Sequence, residues 1–91
     1  MISSTEYIEG LNYYGEKCFI WDIFYKTSVG INNYRIFKKI ENEKIEFEIF
    51  LKIGKRHFLL EIKELISLAS SEGLESSLPR DIKEKSLENN F

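Results

Sequence analysis

Arg35, Phe37 and Lys39 occupy alternate positions of one segment, NYRIFKKIEN, so on a strand all three share a face. The segments before and after carry the same mixture, with Phe24 and Lys26 in EKCFIWDIFYK and Phe50 and Lys52 in EKIEFEIFLKI. On the uncovered side of a sheet, such rings stack unpaired bases for roughly 1–3 kcal/mol each, while the cations hold a phosphate backbone. Asp22, Glu46 and Glu48 fall on that same face and repel phosphate. A solvated sheet surface and a subunit interface are the competing readings of this pattern.

Other chemistry finds little to build on. His57 and Cys18 are the single histidine and the single cysteine, so neither a metal cluster nor a Cys/His dyad is arranged. No intrachain disulfide can form, and Cys18 reads as a small buried hydrophobe on a strand. His57 follows Lys55 and Arg56, which places it in solvent at the start of the segment that follows. Glu46 and Glu48, two apart on a strand, form a carboxylate pair in principle, but charge on the wet side of a strand is their ordinary explanation. The 5 glycines are scattered, with neither a Walker nor a dinucleotide fingerprint. The expectation is a protein without catalysis, cofactor, metal or small-molecule substrate.

A chain of 91 residues makes one small domain. Domains of this size bury roughly 60–65% of their unfolded surface, which favours pairing with a second copy. Aromatics reach 14%, and those rings belong in a core, on a binding face or in an interface. The net charge of −2 hides an asymmetry. Residues 1–16 hold three acids and no base; residues 17–63 hold ten bases and six acids; residues 64–91 hold three bases and six acids. The middle is therefore basic and both ends are acidic. No secretory pattern opens the sequence and no apolar run approaches ~18 residues, so a cytoplasmic location away from membranes is expected.

The elements that must position these residues follow from periodicity. Residues 1–5 read as ragged, and Glu6 to Tyr14 fits either a helix or a strand bent at Gly10. Lys17 to Tyr25 predicts a strand, residues 27–33 a turn, Tyr34 to Ile40 a strand and residues 41–43 a hairpin turn. Lys44 to Ile53 alternates most cleanly, with Ile45, Phe47, Ile49, Leu51 and Ile53 on one side. After Gly54, Phe58, Leu59, Ile62, Leu65, Ile66 and Ala69 recur at helical spacing, which predicts one helix closed by Ser70, Ser71 and Gly73. Beyond it, RDIKEKSLENNF holds only Ile82, Leu87 and Phe91 as large apolar residues and reads as a short helix or a disordered tail. The expected fold is α+β: a three- to four-stranded antiparallel curved meander with one amphipathic helix on one face. That domain covers residues 1–72, with a charged tail over 73–91.

The run TEYIEGLNYYGEKCFIWDI resembles the start of a PUR repeat, the module of Pur-alpha and its small bacterial relatives. Glu16 to Ile23 is similar to that family's second strand, in which a basic residue and one further residue precede three aromatic positions, then Asp or Asn and Val or Ile; here those positions hold Phe19, Ile20, Trp21, Asp22 and Ile23. The later order, a glycine-containing turn, two strands and one helix, also agrees over roughly residues 5–70. The resemblance implies four curved strands followed by one helix, with Glu6–Tyr14 as the first strand. It further implies two intertwined copies and binding of single-stranded DNA or RNA on the sheet. Binding residues carry over to Lys26, Arg35, Phe37, Lys38 and Lys39. The chain departs from the family where Phe24, Tyr25 and Lys26 replace the usual lysine, polar residue and asparagine.

These readings converge on a homodimer that binds single-stranded nucleic acid, as a regulator of transcription or translation. Phe24 and Phe37 would stack bases; Lys26, Arg35, Lys38, Lys39 and Lys52 would meet phosphates. The alternative, favoured by the acidic ends and by Glu46 and Glu48, is a protein-interaction module or inhibitor that docks a partner on its open sheet face.

Overall fold

The computed structural model describes residues 3–4 and 6–88, with side chains from Glu6 onward. Its strands are β1 (Ser3–Ser4), β2 (Ile8–Leu11), β3 (Lys17–Thr27), β4 (Gly30–Glu41), β5 (Lys44–Ile53) and β6 (Arg56–Leu60). Two helices follow, α1 (Ile62–Ser71) and α2 (Arg80–Glu88), joined through a 3₁₀ turn at Glu75–Ser77. All pairings are antiparallel, and β1 and β2 lie one after the other along β3. The sheet is therefore five positions wide, with an interrupted edge at one side and β6 at the other.

Tight turns set the register. Glu41 pairs with Lys44 around Asn42 and Glu43, whose φ values of 51° and 64° are those of a type I′ hairpin. Ile53 pairs with Arg56 around Gly54, at φ 58°, and Lys55, the glycine-first arrangement of a type II′ turn. Two-residue turns are closed by hydrogen-bonded pairs, and such pairs alternate along an antiparallel ladder. The even-numbered residues of β5 thus bond to β4, and its odd-numbered residues face β6.

One side of the sheet holds the core. Ile23, Tyr34, Ile36 and Ile49 are sealed there under Leu65 and Ala69 of α1 and Ile82 of α2, with Leu74 and Leu78 from the connection. Each such side chain stabilises the fold by roughly 1.5–3 kcal/mol through removal from water. The stop of α1 is a Schellman motif: Leu74 N donates to Ala69 O at 2.7 Å and Gly73 N, at φ 72°, to Ser70 O at 3.1 Å. That motif turns Leu74 back into the core.

Four expectations are corrected. Residues 30–33 are strand, and the turn before them is confined to Ser28 and Val29, because Thr27 pairs directly with Gly30. Phe58 and Leu59 belong to β6, not to a helix. Gly54 turns the chain back beside β5, and α1 starts only after Glu61, whose N–H is capped by Glu64 Oε1 at 2.9 Å. The single helix becomes two. The segment beyond Gly73, expected outside the domain as a charged short helix or disordered tail, does form the short helix α2 but packs into the common core through Leu74, Leu78 and Ile82.

The ragged start expected for residues 1–5 lies outside the described residues except at Ser3–Ser4, which pair with Phe24 and Ile23; Phe91 lies outside them too. The extra strand and second helix go beyond the four strands and one helix that the PUR resemblance implies. Among the described residues, no helix is long and apolar enough to cross a membrane.

Candidate binding face

The side of the sheet away from the helices carries the residues singled out above, in cross-strand rows. Phe24, Asn33, Lys52 and His57 form one row, and Asp22, Arg35, Phe50 and Leu59 the next. Then come Ile20, Phe37 and Glu48, followed by Lys39 and Glu46. Arg35, Phe37 and Lys39 do share this open face, as their alternation requires.

The face is not bare. Between β2 and β3 the chain makes a turn held by Asn12, whose Oδ1 accepts from Tyr14 N and Glu16 N at 3.0 Å each. Gly15, at φ 78°, closes it by donating its N–H to Asn12 O at 3.1 Å. The turn folds Tyr13 over the sheet. Its ring meets Phe37 at 5.0 Å and Phe50 at 5.2 Å, both edge-on, and lies 5.5 Å from His57. Phe37 is only 3% exposed beneath this lid. It is a packed ring, closed to bases.

The cations are also engaged. Arg35 grips Asp22 in a fork, Nε to Oδ1 at 2.8 Å and Nη2 to Oδ2 at 3.1 Å. Lys39 Nζ donates to Glu16 Oε2 at 2.6 Å and lies 3.3 Å from Glu41 Oε2. These partners raise the Lys39 pKa, and the Lys39 and Asn12 hydrogen bonds lower that of Glu16. Lys38 is on the other face, donating to Asp81 Oδ2 at 2.6 Å with its ammonium 4.9 Å from the Tyr7 ring centre. It sits one residue out of phase with Arg35, Phe37 and Lys39, so the sheet cannot gather all four.

Of the seven expected nucleic-acid contacts, Phe24, Lys26 and Lys52 remain at one end of the open face without such partners among the described residues. Asn33 sits between Phe24 and Lys52, 6% exposed. Its amide donates to Asp22 and to two backbone carbonyls, and its Oδ1 has no partner among the described residues. His57, expected in solvent at a helix start, is an exposed residue of β6 beside Tyr13.

The opposite end of the face opens into a notch. β6 pairs with β5 only as far as Leu60–Ile49 and then turns away into α1, leaving β5 with no strand on that side from Lys44 to Glu48 among the described residues. By the ladder phase, the backbone N–H and C=O of Ile45 and Phe47 point into this gap. The cleft measures about 780 Å³ and is lined by Tyr14, Leu59, Glu16, Glu46, Glu48, Glu61 and Glu64, with Lys39 and Lys63 as its cations. Glu46, Glu48, Glu61 and Glu64 have no ion-pair partner among the described residues. Tyr14 is 74% and Leu59 66% exposed.

Cys18, also on this face, is buried, which raises its thiol pKa, with Glu16 adding to the effect. No three His, Cys, Asp or Glu side chains converge as metal ligands among the described residues. Sequence reasoning missed the Tyr13 lid and the notch. The signal for the lid was the Asn12-x-x-Gly15 turn chemistry; the signal for the notch was the glycine at position 54, which makes KRHFLL a strand too short to cover β5.

No family model matches the chain, and neither the curated proteins nor the solved structures contain a match.

Proposed function

We propose that this protein is a non-catalytic interaction module that docks a protein partner on the open side of its sheet. An extended basic segment of that partner occupies the notch beside β5. One observation carries the reading: Arg35 and Lys39 are bonded to the chain's own carboxylates, whereas among the described residues Glu46 and Glu48 beside the notch have no ion-pair partner, and Glu61 and Glu64 there meet only backbone N–H groups. Unpaired carboxylates beside free strand amides suit a strand that brings its own lysines or arginines, with backbone hydrogen bonds for affinity and charge for selection. Tyr14 and Leu59 supply apolar contact at the rim. An inhibitor or an adaptor would use such a surface.

Single-stranded DNA or RNA, bound by a homodimeric regulator, is the second reading. It is favoured by Phe24, Lys26 and Lys52 at the far end of the face, whose ring and ammonium groups are not tied to partners among the described residues.

A photoreactive side chain at Tyr14, with one at Leu87 on α2 as control, separates the two. The first reading expects a discrete protein adduct from position 14 that survives nuclease and disappears in Glu46→Lys with Glu48→Lys. Nuclease-sensitive adducts, or the same adducts from position 87, overturn it.

A further inference from the structure

The outer edge of β6 offers an unused strand ladder. Phase places the N–H and C=O groups of His57 and Leu59 away from β5, with no strand beyond them among the described residues. The opposite edge of the sheet is broken into β1 and β2, whereas β6 is the outermost strand on its side among the described residues and is unbroken. Beside the basic Arg56, it exposes apolar side chains: Phe58 is 43% and Leu59 66% exposed. Edges of this kind are templates for pairing unless charge, proline or a bulge blocks them.

We propose that two copies of this chain pair antiparallel through β6, about a two-fold axis at Phe58. The occupant is a second copy because the segment Lys55–Arg56–His57–Phe58–Leu59–Leu60–Glu61 is complementary to itself. It starts basic, is apolar in the middle and ends acidic, so its own antiparallel image sets Lys55 against Glu61 and Phe58 against Phe58, with Arg56 opposite Leu60. With the axis at Phe58, Lys55 stands opposite the partner's Glu61, and His57 opposite the partner's Leu59. This register is also the one the backbone selects. His57 and Leu59 carry the outward-facing amides, and pairing each with the other across the axis makes four N–H···O bonds. Shifting the axis to His57 or to Leu59 aligns only one of the two residues with its own image and forfeits half of them. Residues opposite each other in an antiparallel ladder share a face. The two Phe58 rings thus meet on the helix side, and the open faces join into one continuous surface. The contact is isologous and closed. It uses no residue of the β5 edge, although Leu59 and Glu61 also line the notch, and His57→Pro lies outside that lining and separates the two surfaces.

Sedimentation equilibrium of the purified chain tests this directly. The wild-type chain is expected to be a dimer whose dissociation follows concentration. His57→Pro removes an outward donor while leaving the β5 ladder intact, and is expected to give a folded monomer by far-UV circular dichroism. Should that variant not fold, Leu59→Lys, at an exposed side chain, is expected to weaken the dimer at least tenfold. Lys55→Glu should weaken it several-fold at low salt, and Glu61→Lys in the same chain should restore it. A wild-type chain that stays monomeric at high micromolar concentration overturns the proposal. So does a dimer unaffected by both His57→Pro and Leu59→Lys.

Discussion

Tyr13 meets Phe37 edge-on, with ring centres 5.0 Å apart and planes at 72°, and leaves Phe37 almost without solvent contact. This converts a residue that alternation marks as outward-facing into a second, smaller core on the open side. Phe50 extends it, 6.1 Å from Phe37. Truncation of Phe37 to alanine should therefore cost roughly 3–5 kcal/mol of stability, as for any packed phenylalanine. Phe24, 40% exposed on the same face, should cost much less, about 1 kcal/mol or below. Urea denaturation of the two variants makes the comparison. Equal, small losses would mean that the Tyr13 lid does not close.

The lid is tethered by charge as well as by its turn. Glu16 binds fewer protons folded than unfolded, because Lys39 and then Asn12 lower its pKa. Stability from such a group is present above the ordinary carboxylate range and is lost as pH falls through the lowered value. Lys39, raised by Glu16 and Glu41, contributes below the ordinary lysine value and loses its effect as pH rises through the raised one. The tether is therefore intact across neutral pH and loosens in acid. The ring-proton chemical shifts of Tyr13 and Phe37 should move together on acidification, and Glu16→Gln should abolish that movement. Shifts that still respond to acid in Glu16→Gln would assign the tether to another group.

Asp81 pins α2 to the sheet. It accepts from Tyr7 OH at 2.8 Å and from Lys38 Nζ at 2.6 Å, while sitting in the first turn of the helix, where negative charge is favoured. Burial, with Asp81 alongside, raises the Tyr7 pKa, so the phenol stays a donor at all working pH. Asp81→Ala leaves both partners half-buried without an acceptor, and a loss of about 1–3 kcal/mol is expected. In a chain this size, that corresponds to a melting temperature lower by about 4–8 °C per kcal/mol. An unchanged melting temperature would show that α2 is held by Ile82 alone.

Glu43 stores strain. Its φ of 64° lies in the left-handed region, and a side chain there costs roughly 1–2 kcal/mol. Glu43→Gly should raise stability by about 0.5–1 kcal/mol, the relief being partly offset by the freer unfolded chain. Thermal melting reads this out, and a lower melting temperature would contradict the turn geometry.

Much of the framework was legible because strands announce themselves by a period of two. Lys44–Ile53 was read with its observed limits, and Arg35, Phe37 and Lys39 were placed together on the face opposite the helices. The stripe Ile62, Leu65, Ile66 and Ala69 likewise marked α1. Phe58 and Leu59 misled because they stand four and three residues before Ile62, a spacing that a strand followed by a helix produces by accident. Ile82 was hidden for a different reason: only one of the nine residues of α2 is buried, so no periodic stripe arises. The partners of Arg35 and Lys39 were beyond reach. Asp22 and Glu16 are 13 and 23 residues away in sequence, and only the finished register brings them into contact. Counting cations on a face therefore overstated the charge available to a phosphate backbone.

The most direct measurement of whether the open-face cations are spent internally is a fluorescence-anisotropy titration of the purified chain against a labelled single-stranded oligonucleotide at low salt. The account predicts no saturation at micromolar protein, unchanged by Lys26→Ala with Lys52→Ala. Saturable binding that falls with salt at a slope near −0.7 per neutralised phosphate, and that is lost in that double variant, would contradict it.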